Sequence, residues 1–381
     1  MNRFSPFSFL IIAALISSIS TSPDALASDL EHKVDHFIAA EMQKQNIPGV
    51  AVGVFKAGEP ILMKGYGYAN LEHQAAVTPA SVYQSASVGK QFAAVAIMLL
   101  VEDGKLALDS SIRTYFPDAP DSWHPITVRH LLTHTSGIAD YFEVMGTNGI
   151  EAYDSRRDYS QDELRKIFYT LPLIFTAGSE YSYSNSGYAL LGFLIQRVSG
   201  RFYGDELRDR VFTPLGMHCA EVVSESDIIP NRVAGYELVN GKIKNQQWYA
   251  PTNNTADGAL YLSLLDYLAW ERGLRQRALL SDQSWNEILT PVTLSDGRQY
   301  PYGFGWNIKQ SQGAPWYYHS GGWLGFHVFI SRYLANEVTI LVLTNVDMAE
   351  TAIIVDGIAE IIDPGMAKLV NPRTDGVFGG K

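Results

Sequence analysis

Gln84-Ser85-Ala86-Ser87-Val88-Gly89-Lys90-Gln91-Phe92 opens a long apolar run that continues to Val101 and is closed by Glu102-Asp103-Gly104. The pattern predicts a helix that begins near Ser87. Residues three apart in a helix lie on the same face, so Ser87 and Lys90 would be neighbours. Because a helix that is apolar on all faces is buried, Lys90 is expected to enter the protein interior.

This spacing suits nucleophilic catalysis. A serine hydroxyl is a weak nucleophile until a neighbouring base takes its proton. A lysine amine can be that base if burial lowers its pKa, and the free N–H groups of a helix N-terminus stabilise an anion formed beside the serine. Ser-x-x-Lys by itself is a weak signal, since the same spacing is common on solvated helices, but it occurs only once in this chain.

Composition narrows the classes of protein. The chain has 381 residues, 46% of them hydrophobic, which is enough for a large core. The net charge is -11 and no basic tract is present, which argues against nucleic acid as a partner. A single cysteine, Cys219, excludes an internal disulfide. We expect it to be a small residue in a packed turn, with a nucleophilic role as the less supported alternative.

The N-terminus has the pattern of a targeting segment. A positive charge at Arg3 precedes the apolar run Phe7 to Ile19, and Ala25-Leu26-Ala27 has the small-x-small pattern of a cleavage site. We expect residues 1–27 to be a signal peptide and the protein to be exported, periplasmic or secreted. An uncleaved membrane anchor is the alternative, although the run is short for a membrane span.

Periodicity predicts two lobes. A helix over Asp29 to Gln45 and a hairpin of Val50 to Phe55 with Ile61 to Tyr68 are followed by a mainly helical middle region, and strand patterns return after Gly303. We expect an α+β fold within residues 28–363. Its α/β lobe would comprise about 28–107 and 300–363, an α lobe of about 108–299 would be inserted, and 364–381 would form a tail. Specificity would depend on the loops 140–159 and 235–254.

His130 and His134 are four residues apart, a spacing seen in metal sites. The glutamate of a zincin helix is missing and no third ligand is evident. We therefore favour two structural histidines and predict no metal.

Two further motifs carry reactive groups. In Tyr183-Ser184-Asn185 the tyrosine is a candidate general base and acid, and the asparagine can orient a substrate or the lysine. A tyrosine packed in a loop is the alternative, because the chain has 21 tyrosines.

The second motif is His319-Ser320-Gly321-Gly322, which lies on a predicted strand. Glycines let a substrate backbone approach the strand edge, and the N–H of Gly322 could complete an oxyanion hole with that of Ser87. His319 and Ser320 would contact the substrate or leaving group. Alone, the motif is more typical of a tight turn with an exposed histidine.

Taken in order, Ser-x-x-Lys, Tyr-x-Asn and His-x-Gly resemble the serine β-lactamase and penicillin-binding-protein superfamily, on the class C side that includes DD-peptidases, D-aminopeptidases and esterases. The resemblance runs from about Ile47 to Asn345. It implies the β-lactamase/transpeptidase-like fold, an antiparallel sheet flanked by helices with an all-α lobe, and it implies no metal or organic cofactor.

The resemblance also implies roles. Ser87 would be the nucleophile, Lys90 would assist proton removal and Tyr183 would act as general base and then protonate the leaving group. Asn185 would orient the substrate and Lys90, and the backbone N–H groups of Ser87 and Gly322 would form the oxyanion hole.

One departure concerns specificity. His319 stands where class C β-lactamases carry a lysine, and a histidine is mostly neutral at pH 7. We therefore expect an exported serine hydrolase for an ester, amide or peptide, carboxylesterase-like or D-amino-acid peptidase-like. The alternatives are a β-lactamase or DD-carboxypeptidase, and a catalytically silent protein that binds peptidoglycan or a protein partner. A silent protein would be expected to have lost Ser87, Lys90 or Tyr183, whereas all three are present.

Overall fold

The computed structural model describes residues 23–144, 159–222, 226–246 and 255–369. Most of the predicted signal peptide, residues 1–22, lies outside this range, as do residues 145–158 and 247–254 of the two predicted specificity loops. Of the helices within the described residues, none combines the length and apolar character needed to cross a membrane.

The strands are β1 Gly49–Lys56, β2 Glu59–Asn70, β3 Ala75–Ala76, β4 Tyr83–Gln84, β5 Glu221–Val222, β6 Tyr236–Val239, β7 Lys242–Asn245, β8 Leu260–Leu262, β9 Val292–Thr293, β10 Gln299–Tyr300, β11 Asn307–Ser311, β12 Ala314–Trp323, β13 Phe326–Tyr333 and β14 Val338–Thr344. The helices are α1 Pro23–Gln45, α2 Lys90–Glu102, α3 Val128–Leu132, α4 Tyr141–Val144, α5 Gln161–Phe168, α6 Asn185–Ser199, α7 Tyr203–Leu207, α8 Thr213–Leu215, α9 Leu264–Arg275, α10 Asp282–Ile288 and α11 Thr351–Ile362.

The main sheet has seven antiparallel strands in the order β11-β12-β13-β14-β1-β2-β3. The first and last thirds of the chain therefore meet where β1 pairs with β14, with Val52 opposite Val342. This arrangement confirms the expected antiparallel sheet.

Strand β1 shows why helices cover both faces of the sheet. Its alternate residues Val50, Val52 and Val54 join the core formed with α1 and α11, while Ala51 and Phe55 join the larger core around α2 and α9. Successive strand side chains point to opposite faces, so a strand that is apolar at both sets of positions needs cover on both sides.

The region between the two halves of the sheet is not wholly helical. It holds α3 to α10, but its strands β5 and β8 form a small antiparallel sheet with β4, which precedes Ser87 in the chain. Helix α9 packs on the main sheet, where Glu271 forms a buried bidentate ion pair with Arg332 of β13 at 2.7 and 3.2 Å. A helix from the region predicted as the α lobe therefore packs against the main sheet.

Two predicted boundaries differ from the structure. The strand predicted from Gly303 begins at Asn307, because Gly305 adopts a φ of +76° in a turn packed against Lys90 and Gln91. The start of the predicted tail is anchored, since Met366 and Leu369 are buried in the core beside α11. Apolar side chains at these two positions hold residues 364–369 against the sheet.

Candidate active site

The nucleophile candidate lies on a strained turn. Residues Ala86–Gly89 form a 3₁₀ turn that leads directly into α2. Ala86 has a φ of +47°, a left-handed conformation that is costly for a residue other than glycine and that clusters at functional sites. In this turn Ser87 retains 7% of its surface exposed. The predicted helix start near Ser87 is therefore correct to within a few residues.

Lys90 lies one turn further on and is fully buried. Its Nζ donates hydrogen bonds to Ser87 Oγ at 2.9 Å, Asn185 Oδ1 at 2.8 Å and the carbonyl oxygen of Asp257 at 2.7 Å. Burial lowers the pKa of Lys90 to about 8, against the opposing effect of the nearby Asp257 and Asp140 carboxylates. A lysine with this pKa is neutral in roughly one molecule in ten at pH 7 and can accept a proton.

Asn185 is held by a carboxylate that the sequence motifs did not reveal. Asp140 Oδ2 accepts hydrogen bonds from the Asn185 backbone N–H and from its Nδ2, both at 2.8 Å. Asp140 thereby caps the N-terminus of α6, where a negative charge is favourable. The amide of Asn185 is left with its oxygen facing Lys90.

Tyr183 lies beside the same lysine. The Lys90 Nζ is 4.9 Å from the centre of the Tyr183 ring. The Tyr183 hydroxyl is buried and makes no hydrogen bond within normal geometric limits, although it is close enough to Ser87 for that side chain to act on its pKa. Burial raises the pKa of Tyr183 well above its usual value of 10, so the neutral phenol is strongly favoured.

His319 is buried beside the site, so the alternative of an exposed histidine in a tight turn does not hold. It is 3% exposed, and both ring nitrogens are occupied: Nδ1 contacts the Ser320 carbonyl oxygen at 2.6 Å and Nε2 contacts the Tyr302 hydroxyl at 2.9 Å. Since a carbonyl only accepts, Nδ1 carries the proton and Nε2 accepts from Tyr302. Burial lowers the pKa of His319 to about 3, so the ring is neutral.

The hydrogen-bond chain continues to His134. The Ser184 backbone N–H donates to His134 Nδ1 at 3.1 Å, which leaves Nε2 as the donor to the Tyr302 hydroxyl at 3.1 Å. The His134 ring also lies against Tyr183, with ring centres 4.1 Å apart. Burial lowers the pKa of His134 well below its usual value. The resulting chain of donors runs from Ser184 through His134 and Tyr302 to His319 and fixes both tautomers.

The edge of β12 borders the nucleophile. The last residue that β12 pairs with β11 is Tyr318, opposite Asn307, so residues 319–323 extend beyond that partner. A Cβ on Gly321 would lie 2.8 Å from Ser87 N and 2.9 Å from Ser85 O, closer than real contacts allow. Glycine at 321 therefore lets the strand approach the turn that carries Ser87, with Gly322 following it. Ser320 is also buried at this edge.

The remaining candidates do not form reactive sites. His130 is a helix-capping residue, whose Nδ1 accepts from the Thr127 N–H at 3.2 Å. Within the described ranges, no group of three or more potential ligands could hold a metal ion. Burial raises the pKa of the Cys219 thiol, which opposes formation of the thiolate that nucleophilic chemistry needs.

The structure thus brings Ser87, Lys90, Tyr183 and Asn185 together and places Gly321 against Ser87. Sequence reasoning missed Asp140, Tyr141, Asp257 and Tyr302. Of the residues in these contacts, His134 drew attention through its spacing from His130 and not through its contact with Tyr302. Long-range contacts of this kind leave no local pattern in the chain.

A buried lysine hydrogen-bonded to a serine, on this fold, is the arrangement expected of a serine hydrolase. The family model described as Beta-lactamase matches residues 34–356, and the chain belongs to this beta-lactamase family, which includes the penicillin-binding proteins that its sequence motifs resemble.

Relatives with assigned names are similar over most of the chain. The D-aminopeptidase of Gluconobacter oxydans (strain 621H) is 31% identical over 306 residues, which are 78% of this chain and 56% of that protein. Penicillin-binding protein 4* of Bacillus subtilis (strain 168) is 28% identical over 306 residues, 76% of this chain and 66% of that protein. The chain therefore spans about half to two thirds of the length of these relatives.

A solved structure gives the same result for the fold. The penicillin-binding protein from Bacillus halodurans superposes with a TM-score of 0.72 at 27% identity, covering 86% of this chain and 98% of that one. The similarity confirms the predicted β-lactamase/transpeptidase-like fold.

Proposed function

We propose that this protein is an exported hydrolase that cleaves an amide or ester through an acyl intermediate on Ser87. The observation that carries the proposal is the 2.9 Å hydrogen bond between Ser87 Oγ and a fully buried lysine whose pKa is lowered to about 8. Such a lysine is neutral often enough near neutral pH to serve as a base.

In the acylation step, the Ser87 oxygen attacks the substrate carbonyl carbon while its proton passes to neutral Lys90. The negative charge that develops on the carbonyl oxygen is stabilised by the backbone N–H groups of Ser87 and Gly322. The extension of β12 beyond its last pair with β11 and the approach of Gly321 to Ser87 support this assignment.

Collapse of the tetrahedral intermediate breaks the bond to the leaving group, which needs a proton. The Tyr183 hydroxyl is suited to donate it, because burial keeps it protonated and it lies close to Ser87. The protonated Lys90 then returns a proton to Tyr183. In deacylation, a water molecule attacks the acyl carbon and gives a proton to Lys90. The ester bond to Ser87 then breaks, and Lys90 passes that proton to the Ser87 oxygen. In this proposal Lys90 takes the role of base that the resemblance gives to Tyr183.

For the substrate, we favour amides or short peptides with an N-terminal D-amino acid, because one relative is named D-aminopeptidase. Simple carboxylic esters are the other class, since the same acyl-serine chemistry cleaves them. His319 supports both over β-lactams. It is neutral and both of its nitrogens are engaged, so it supplies no positive charge for a substrate carboxylate.

Two alternatives remain to be tested. The similarity to penicillin-binding protein 4* favours a β-lactamase or DD-carboxypeptidase. A silent binding protein for peptidoglycan or a protein partner is disfavoured because Ser87, Lys90 and Asn185 are joined by hydrogen bonds. Export rests on the composition of residues 1–27 alone.

The proposal is tested by parallel turnover assays on the full chain with a D-alanine anilide, a short-chain aryl ester and a chromogenic cephalosporin. Ser87→Ala should abolish turnover of all three, whereas Ser110→Ala, a serine outside the site, should retain it. A fluorophosphonate probe should label the wild-type protein and not Ser87→Ala. Activity should rise with pH through an apparent pKa near 8, because the base must be deprotonated.

The outcomes separate the alternatives. Cleavage of the anilide or ester with little cephalosporin turnover supports the proposal, and fast cephalosporin hydrolysis would assign the protein to the β-lactamases. An inert wild-type protein that no serine probe labels would favour the binding protein, and a fully active Ser87→Ala variant would overturn the role of Ser87. Export is tested separately by the N-terminal sequence and location of the mature protein.

A further inference from the structure

Residues Ala139, Asp140 and Tyr141 connect to both elements that hold Lys90, and neither the motifs nor the comparisons assign them a role. At the start of α6, the Ser186 hydroxyl donates to the Ala139 carbonyl oxygen at 2.7 Å. Ser186 Oγ in turn accepts from the Tyr141 N–H at 2.9 Å. Between them, Asp140 accepts both N–H groups of Asn185. Three consecutive residues thus fix the position of Asn185.

The same segment reaches the second element. The Tyr141 hydroxyl donates to Asp257 Oδ2 at 2.7 Å, and the carbonyl of Asp257 is the third acceptor for Lys90. Asp257 is 1% exposed, so its carboxylate has little access to water and depends on protein donors. Tyr141 therefore holds Asp257 as Asp140 holds Asn185.

The orientation of the Asn185 amide has a chemical consequence. An amide presents a donor at one end and an acceptor at the other. Because Nδ2 donates to Asp140, Oδ1 must face Lys90, and it does so at 2.8 Å. If the amide were reversed, its donor end would face the donor hydrogens of the lysine.

A neutral lysine amine has two hydrogens and one lone pair. Of its three partners, Asn185 Oδ1 and the Asp257 carbonyl can only accept, so they take the two hydrogens. The Ser87 hydroxyl is the one partner that can reverse its role and donate. The lone pair of neutral Lys90 is therefore directed at the hydroxyl proton of Ser87.

We propose that Asp140 and Tyr141 are positioning residues that hold the two accept-only partners of Lys90, and so aim its lone pair at Ser87. This inference rests on the proposed function, since it concerns the same serine and lysine. Neither residue needs to touch the substrate.

The charge of Asp140 gives the role a measurable signature. The groups that face Lys90 are the carboxylates of Asp140 and Asp257, the neutral rings of His134 and His319, and the rings of Tyr183 and Tyr188 at 4.9 and 5.5 Å. The two carboxylates raise the pKa of Lys90. Removing the charge at residue 140 should therefore lower that pKa, and activity that needs neutral Lys90 should persist to lower pH.

The experiment compares Asp140→Asn with Asp140→Glu in the full chain, using the best substrate from the turnover assays. Asp140→Asn loses the charge and one acceptor site, so we expect kcat to fall roughly ten- to a hundred-fold with KM little changed, and the acid limb of the pH profile to move to lower pH. Asp140→Glu keeps the charge, so its kcat should fall while the limb stays in place.

Two further variants complete the test. Asp121→Asn removes a carboxylate from a side chain that is 96% exposed, and it should match the wild type in both kcat and pH profile. Tyr141→Phe leaves Asp140 intact but releases Asp257, and its kcat should also fall. Thermal melting of each variant shows whether it is folded.

An unshifted acid limb in folded Asp140→Asn, or unchanged kcat in both Asp140→Glu and Tyr141→Phe, would overturn the positioning role. If Asp140→Asn does not fold, Asp140→Glu and Tyr141→Phe decide the question. The Ser87→Ala variant distinguishes failure of the proposed function from failure of the positioning role. An active Ser87→Ala variant would refute the proposed function, whereas an inactive one with unaffected Asp140 and Tyr141 variants would refute only this inference.

Discussion

Replacing Tyr302 by phenylalanine tests whether the buried chain from His134 to His319 holds the site together. Tyr302 is fully buried, and its hydroxyl accepts from His134 Nε2 at 3.1 Å and donates to His319 Nε2 at 2.9 Å. The variant keeps the ring and removes only the oxygen. Two ring nitrogens, one a donor and one an acceptor, are then left without this partner in the interior.

The expected cost follows from these two losses. A buried polar group left without a partner costs about 1–3 kcal/mol, so the two together cost about 2–6 kcal/mol. An unfolding entropy of about 2.1 cal/mol/K per residue, over 381 residues, gives roughly 0.8 kcal/mol/K. The melting temperature should therefore fall by roughly 2–8 °C.

Thermal melting followed by circular dichroism at pH 7.5 measures the effect, with Tyr267→Phe as the matched control. The Tyr267 hydroxyl is also buried but has no hydrogen-bond partner among the described residues. Its removal should leave the melting temperature unchanged or slightly higher. If both variants melt at the wild-type temperature, or both fall equally, the hydrogen-bond chain contributes no net stability and the reasoning fails.

Two other predictions concern strand packing and acid stability. Gly321→Ala should lower kcat by roughly a hundred-fold in a folded protein, because the new methyl group would lie 2.8 Å from Ser87 N; wild-type turnover would show that β12 does not constrain Ser87. Acid should destabilise the protein as the pH falls below 6.5, because burial lowers the pKa of His319 to about 3 and of His327 to about 4. The unfolded chain then binds protons that the folded protein does not. The free energy of unfolding should therefore fall by about 1.4 kcal/mol per histidine by pH 5.5. Melting between pH 7.5 and 5.5 checks this, and His327→Gln should reduce the dependence; an equal dependence would contradict the assignment.

The main elements of the fold were predictable because their signals are local. Alternating or continuous apolar residues predicted the strands that became β1, β2, β13 and β14, and the apolar run after Lys90 predicted α2. The short strands β5 and β8 were missed, since two or three residues carry no periodicity. The turn at Gly305 was missed because its conformation serves a contact with Lys90 and Gln91, far away in the chain.

For the site, the sequence alone determined which reactive groups are present and the helical spacing that joins Ser87 to Lys90, since a helix turn is a local geometry. Only the tertiary structure decided the protonation states of these groups. Burial lowers the pKa of Lys90 and keeps His319 neutral. This burial depends on segments more than a hundred residues apart, which are brought together when β1 pairs with β14. The hydrogen bonds from Asp140 and Tyr302 arise in the same way. Desolvation and hydrogen bonding depend on three-dimensional neighbours, so no motif could reveal them.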